Sequence, residues 1–206
     1  MNFVTKAILN EGSDRLVILL TGRYQSAENF LSYYSGIDAN LVAVQPVTQE
    51  WYPLPNGIDN QYDAMIGIKQ NLPYLHKIVK KIISTLEIPK NKTSIVGFSA
   101  GGVMALELLS HNKLPFHSVV IHAGAILRLE KFPQAKNNTP VLLLHKKDDE
   151  CFEWNERFVP MLNCLQNKGY NVSTVISDEG QHNISQEDIM IAINFMNNNG
   201  PFVNPF

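Results

Sequence analysis

TSIVGFSAGGVMALELL, Thr93 to Leu109, joins two different patterns through one serine. Thr93–Phe98 is a short, nearly continuous apolar run, which reads as a strand covered on both faces. From Ala100 a longer apolar stretch reads as a helix over Ala100–His111. Between them stands Gly97-Phe98-Ser99-Ala100-Gly101, a G-x-S-x-G pentapeptide. A strand that ends in it and a helix that starts directly after the serine form the frame of a nucleophile elbow. In such an elbow a strained turn lifts a hydroxyl above the sheet, and side chains at the glycines would strike the neighbouring strand and helix. The other reading is a serine N-cap after a glycine turn. The strand–turn–helix frame favours the nucleophile.

Outward from this junction, strand and helix patterns alternate. Arg15–Thr21, Asn40–Gln45, His117–Ala123, Pro140–His145 and Asn171–Ser177 read as further strands, most of them almost wholly apolar. Phe3–Leu9 alternates more and reads as an edge strand. In Ala64–Leu86, the residues Ala64, Ile68, Leu72, Leu75, Val79 and Ile82 recur at steps of three and four, one face of a helix. Pro73 is expected to kink or break it. Ala27–Tyr34, Glu153–Gln166 and Gln186–Asn197 are the remaining helices, and the residues after them read as a tail. The alternation predicts one domain over residues 1–206. It is a mostly parallel α/β sheet of six to seven strands, with helices on both faces and right-handed crossovers. Chemistry in such sheets collects beyond the carboxyl ends of the strands.

Composition narrows the class. The chain has 206 residues, 45% hydrophobic and 17% charged, which is ordinary globular balance. A formal net charge of −2 gives no field for nucleic acid. Two cysteines, Cys151 and Cys164, are too few for a disulfide framework and fit a reduced, cytoplasmic chain. No apolar run is long enough to span a membrane, and the N-terminus does not read as a signal peptide. The histidines are dispersed and there is no CxxC, so neither a metal site nor a cofactor is expected.

A serine hydroxyl needs a base to take its proton. In hydrolases with this elbow the order is serine, acid, histidine. Of six histidines, only His182 lies in a loop beyond the last strand, in DEGQHNIS. The acid belongs just past Pro140–His145, where HKKDDECF offers Asp148, Asp149 and Glu150; Asp149 is preferred and Asp148 is the runner-up. Asp178 and Glu179 read as a solvated loop. Backbone N–H groups for a developing oxyanion are expected from Ala100, at a helix N-terminus, and from Arg23, in the loop TGRYQSAENF after the strand Arg15–Thr21.

With these residues the chain resembles the α/β-hydrolase superfamily, and most of all its phospholipase/carboxylesterase group, which shades into dienelactone-hydrolase-like serine esterases. GFSAGG resembles the group's elbow, LLLHKKDDECF its HGxxDxxV motif, and EGQHNIS its segment around the base. Alignment on His145 puts the family's acid on Asp149. PVTQEWYPLPNG resembles a segment that places Trp51 and Tyr52 near the substrate pocket. The first loop, usually HGxG, is here Thr21-Gly22-Arg23-Tyr24, which sets the side chains of Arg23 and Tyr24 at the mouth. Lys146 replaces the glycine after His145. Arg23 and Lys146 read either as solvated cations or as a preference for anionic substrates. The resemblance implies an α/β-hydrolase that acts on small ester substrates. The 206-residue length and the short path from Ala123 to Pro140, where lids often insert, leave little room for a lid domain and predict short or medium acyl chains. Thioester or lysophospholipid hydrolysis, or a catalytically silent binding protein on the same fold, are the alternatives.

Overall fold

The computed structural model describes residues 2–53, 61–113 and 115–198, with the side chains of 61–63 excepted. Seven strands form one sheet: β1 (Phe3–Ile8), β2 (Leu16–Leu20), β3 (Asn40–Pro46), β4 (Thr93–Phe98), β5 (Ser118–His122), β6 (Pro140–Lys146) and β7 (Asn171–Ser177). Their spatial order is β1-β3-β2-β4-β5-β6-β7. Only β1 runs antiparallel, along β3; every other pair is parallel. As the sequence suggests, β1 is an exposed edge.

The near-continuous apolar runs have a plain cause. Successive side chains of a strand point to opposite faces, and here both faces are covered. On β2, Leu16, Ile18 and Leu20 enter one core while Val17 and Leu19 enter the other. On β6, Val141 and Leu143 divide from Leu142 and Leu144 in the same way. Three helices cover the first core: α2 (Gln61–Leu86), α3 (Ala100–His111) and α4 (Val159–Asn167). Two cover the second, α1 (Ala27–Tyr34) and α5 (Gln186–Asn198). Each fully buried Leu, Ile or Val contributes about 1.5–3 kcal/mol through removal from water.

Local chemistry sets the helix ends. Ser26 caps α1, its Oγ accepting the Asn29 N–H at 3.1 Å. Pro73 does not break α2, which runs through it from Gln61 to Leu86, with Leu72 and Leu75 on either side of the proline held in the core. The expected helix Glu153–Gln166 begins instead as a π turn, Trp154–Phe158. Pro160, in the first turn of α4, has no N–H to give to a continuous α ladder. The expected tail lies outside the described residues beyond Asn198. Between β5 and β6, where a lid would insert, the chain forms only a short 3-10 turn, Leu129–Lys131.

The chain lays down β3 on one side of β2 and β4 on the other. The crossover direction therefore reverses between β2 and β4, which opens a crevice at their carboxyl ends. The loop after β2 and the start of α3 meet there.

Candidate active site

Ser99 sits between β4 and α3 with φ 53° and ψ −119°, a backbone conformation that costs a non-glycine residue about 1–3 kcal/mol. Two anchors hold it there. Its N–H donates to the His122 carbonyl (3.0 Å) and its carbonyl accepts the Val103 N–H (3.1 Å). The turn closes only because its neighbours lack side chains. A Cβ on Gly97 would lie 2.5 Å from the Gly101 carbonyl oxygen, and one on Gly101 would lie 2.1 Å from that of Leu20. Ser99 precedes the helix, but its side chain caps no helical N–H. Its hydroxyl turns to His182 instead, with Oγ 2.8 Å from Nε2.

The far side of the His182 ring faces Asp149. Nδ1 lies 2.9 Å from Oδ2 and 3.1 Å from Oδ1, so the Nδ1–H can donate to the carboxylate while Nε2 faces the hydroxyl. Asp149 is buried and also accepts the N–H groups of Cys151 and Phe152, each at 2.8 Å. Burial pushes its carboxyl up, but the bonds from His182 and those two N–H groups outweigh this and hold it below its ordinary value. Phe98 stacks on the His182 ring, centroids 5.2 Å apart and planes 27° apart. Ser99, Asp149 and His182, named from sequence order, are thus brought into one hydrogen-bonded line. Such a line can take a proton from a hydroxyl and stabilise the imidazolium that results.

Asp148, the runner-up acid, does other work. Its carboxylate accepts the N–H of Gly180 (3.1 Å) and of Gln181 (2.8 Å), the two residues before His182. Asp178 pairs with Lys147 on the surface. The other histidines are engaged elsewhere. His122 Nε2 is 2.6 Å from the Tyr34 hydroxyl, His117 bonds the Met196 carbonyl, and His145 stacks on Phe158 at 4.3 Å. His76 and His111 face each other across the α2–α3 groove.

Ala100 is the first residue of α3, where a backbone N–H has no intrahelical partner. Across the crevice, the Gly22 N–H donates to Gln25 Oε1 (2.9 Å) and the Tyr24 N–H to the Gln49 carbonyl (3.0 Å). The amides on both sides of Arg23 are thereby anchored. A Cβ on Gly22 would lie 2.7 Å from the Phe98 ring, so only glycine lets the loop come this close to the elbow. The Arg23 guanidinium is paired with Glu50 and lies over the Tyr24 ring, 4.9 Å from its centroid. Tyr24 is exposed and its hydroxyl donates to the same Glu50 (2.7 Å).

Trp51 and Tyr52 are buried, with side chains in the core under α2. The Trp51 indole N–H donates to the Thr21 carbonyl (2.7 Å), which ties the segment after β3 to the loop carrying Arg23. Lys146 is neither a solvated cation nor a cation at the mouth. It is 5% exposed and its ammonium meets Asp188 at 2.8 Å, a partner 42 residues away that no local pattern announces. Cys151 is exposed, and its Sγ lies within 4.8 Å of a donor atom of Asp149 and of His182. Among the described residues this is the one cluster of metal-ligand type.

The sheet and the crevice define an α/β-hydrolase. Residues 35–199 match the phospholipase/carboxylesterase family, and the chain belongs to that family. It is similar in structure to the esterase PE8, at 22% identity over 96% of this chain and 99% of that one, with a TM-score of 0.86. A phospholipase/carboxylesterase from Dyadobacter fermentans matches at 20% identity over 94% and 95% of the two chains, with a TM-score of 0.77. The Bacillus cereus carboxylesterase matches at 16% identity over 96% and 95%, with a TM-score of 0.79. Among the described residues, no helix is long and apolar enough to cross a membrane.

Proposed function

We propose that the chain is a serine carboxylesterase that works through an acyl-serine intermediate. The observation that carries this reading is the 2.8 Å contact of Ser99 Oγ with His182 Nε2, on a ring whose other nitrogen faces the buried Asp149. His182 takes the Ser99 proton as Oγ attacks the ester carbonyl. The N–H groups of Ala100 and Arg23 hold the oxyanion, helped by the positive end of the α3 dipole. The C–O bond to the alcohol then breaks, and His182 returns the proton to the departing oxygen. Water enters, gives a proton to His182 and attacks the acyl carbon. The acid leaves and Ser99 recovers its hydrogen. Asp149 stays ionised throughout and keeps the ring in the Nδ1–H tautomer. Membership of a family of phospholipases and carboxylesterases supports ester cleavage as the reaction.

Short or medium acyl chains are the proposed substrates. The short turn between β5 and β6 supports this, because it leaves little there to enclose a long chain. The test is a series of p-nitrophenyl esters, from acetate to palmitate, with native protein and Ser99→Ala. Hydrolysis that peaks at short or medium length and is lost in Ser99→Ala is expected. Comparable turnover of long-chain triglyceride emulsions overturns the chain-length reading, and activity retained by Ser99→Ala overturns the mechanism.

A further inference from the structure

The loop that delivers His182 runs from the end of β7 to the start of α5, and a buried ion pair stands beneath it. Lys146 is the last residue of β6 and pairs in register with Ser177, the last residue of β7. Its ammonium donates to Asp188 at 2.9 and 2.8 Å and to Ser177 Oγ at 3.3 Å. The side chains of Lys146 and Asp188 are only 7% and 5% exposed. Asp188 in turn accepts the Ser185 N–H and hydroxyl, each at 2.8 Å, and gives its own N–H back to Ser185 Oγ (3.1 Å). That reciprocal pair is a capping box at the start of α5. One ammonium therefore ties together the ends of β6, β7 and α5.

The stem of the same lysine supports the loop directly. A Cβ on Gly180 would lie 3.0 Å from the Lys146 Cδ and Cε. Gly180 and Gln181 both have positive φ, 136° and 54°; glycine adopts it freely, but Gln181, directly before His182, holds an uncommon backbone conformation. Such a segment keeps one shape only when its surroundings impose it. Asp148 grips its N–H groups from the exposed side, and Lys146 bears on it from the buried side.

We propose that Lys146 is a positioning residue for His182. Together with Asp188 it fixes the loop at the height where Nε2 reaches Ser99. This rests on the proposed role of His182 as the base.

The test compares native protein with Lys146→Met, which keeps the stem and removes the charge, and with the neutral double variant Lys146→Met/Asp188→Asn. A lone buried carboxylate can unfold the single variant, and the double variant leaves none. Steady-state kinetics on a short p-nitrophenyl ester, fluorophosphonate labelling rates and the downfield Nδ1 proton of His182 by NMR are read together, well below each melting temperature. A shift of the loop by about 1 Å is expected to lower kcat about 10- to 100-fold in both variants, with KM changed less than threefold. The labelling rate falls in parallel, and the His182 proton resonance broadens or disappears. A folded variant with native kcat and a native resonance overturns the proposal. So does failure of both variants to fold, which would make the pair a stability element alone. If native protein neither cleaves esters nor takes the probe, the esterase reading fails. The NMR comparison then still decides whether Lys146 places the ring.

Discussion

Replacement of Gly101 by alanine sets two physical effects against each other. By intrinsic propensity, alanine in place of a helical glycine stabilises by about 1 kcal/mol. At this position the added Cβ would stand 2.1 Å from the Leu20 carbonyl oxygen and 2.5 Å from that of Thr21. Both are backbone atoms, at the last residue of the inner strand β2 and the residue after it, and neither can rotate away. The start of α3 must retreat by about 1 Å, and overpacking of this kind costs about 1–3 kcal/mol. Packing therefore outweighs propensity. Gly101→Ala is expected to melt at a lower temperature than native protein, not a higher one. Ser99 and the Ala100 N–H move with the helix, and a displacement of about 1 Å at reacting atoms costs about 100-fold in rate. The assay is kcat/KM on a short p-nitrophenyl ester beside a thermal melt, with Gly36→Ala as the control. A Cβ on Gly36 would meet nothing within 4 Å, so that variant should behave as native. A Gly101→Ala protein with unchanged melting temperature and activity within threefold of native would refute the reasoning.

Asp149→Asn keeps the shape of the acid but weakens its hold on the Nδ1–H of His182; kcat is expected to fall by about 10⁴-fold with KM little changed, as stopped-assay kinetics would read. Loss of less than tenfold would assign the acid's role elsewhere. N-ethylmaleimide on Cys151 puts bulk beside Asp149 and His182 and should abolish most activity, while Cys151→Ser should resist it. Burial and the carboxylates of Asp149 and Glu150 push that thiol up, so inactivation should accelerate as pH rises. His122 is held neutral by burial, its pKa taken from 6.5 down to about 4 against the opposing pull of Asp188. The unfolded chain gains a proton near pH 6.5 that the folded chain refuses. Stability is therefore full above pH 6.5 and falls as pH drops from there toward about 4. Denaturant titrations across that window should show the slope, and His122→Asn should flatten it; an unchanged slope would assign it to other groups. Asp149 and Asp188, both held below their ordinary value, add a further loss only at lower pH.

Features set by local order are legible in the sequence. Runs such as Leu16–Leu20 and Val141–Leu144 are apolar at every position because each face of the sheet has its own core. The elbow is readable because a nucleophile there needs glycines on both sides of Ser99, and glycines are visible as letters. His182 is readable by elimination among six histidines, from its loop and its place after the acid. Asp149 is preferred to its neighbour Asp148 just past the end of β6, and the resemblance supports that choice. The structure shows why two adjacent acids coexist: one faces the His182 ring and the other holds the backbone that precedes it.

Features that depend on distant partners stay hidden. Lys146 looks like any exposed lysine until Asp188 is placed beside it across 42 residues. Trp51 is an aromatic near the crevice in sequence, yet its indole N–H reaches back 30 residues to hold the Thr21 carbonyl. Tyr34 and His122 meet 88 residues apart. The π turn before α4 escapes a sequence reading because a proline one residue past a helix start is an ordinary helical signal. In each of the three long-range pairs the deciding energy is burial of a polar group against one specific partner, and no periodicity encodes that.

Whether Ser99 is a nucleophile activated by His182 is tested most directly by mass spectrometry of protein treated with a fluorophosphonate. One adduct on Ser99 is expected in native protein, with no adduct in Ser99→Ala and labelling slowed at least about a hundredfold in His182→Ala. Native protein that stays unlabelled, or that carries the adduct on another residue, would contradict that role for Ser99.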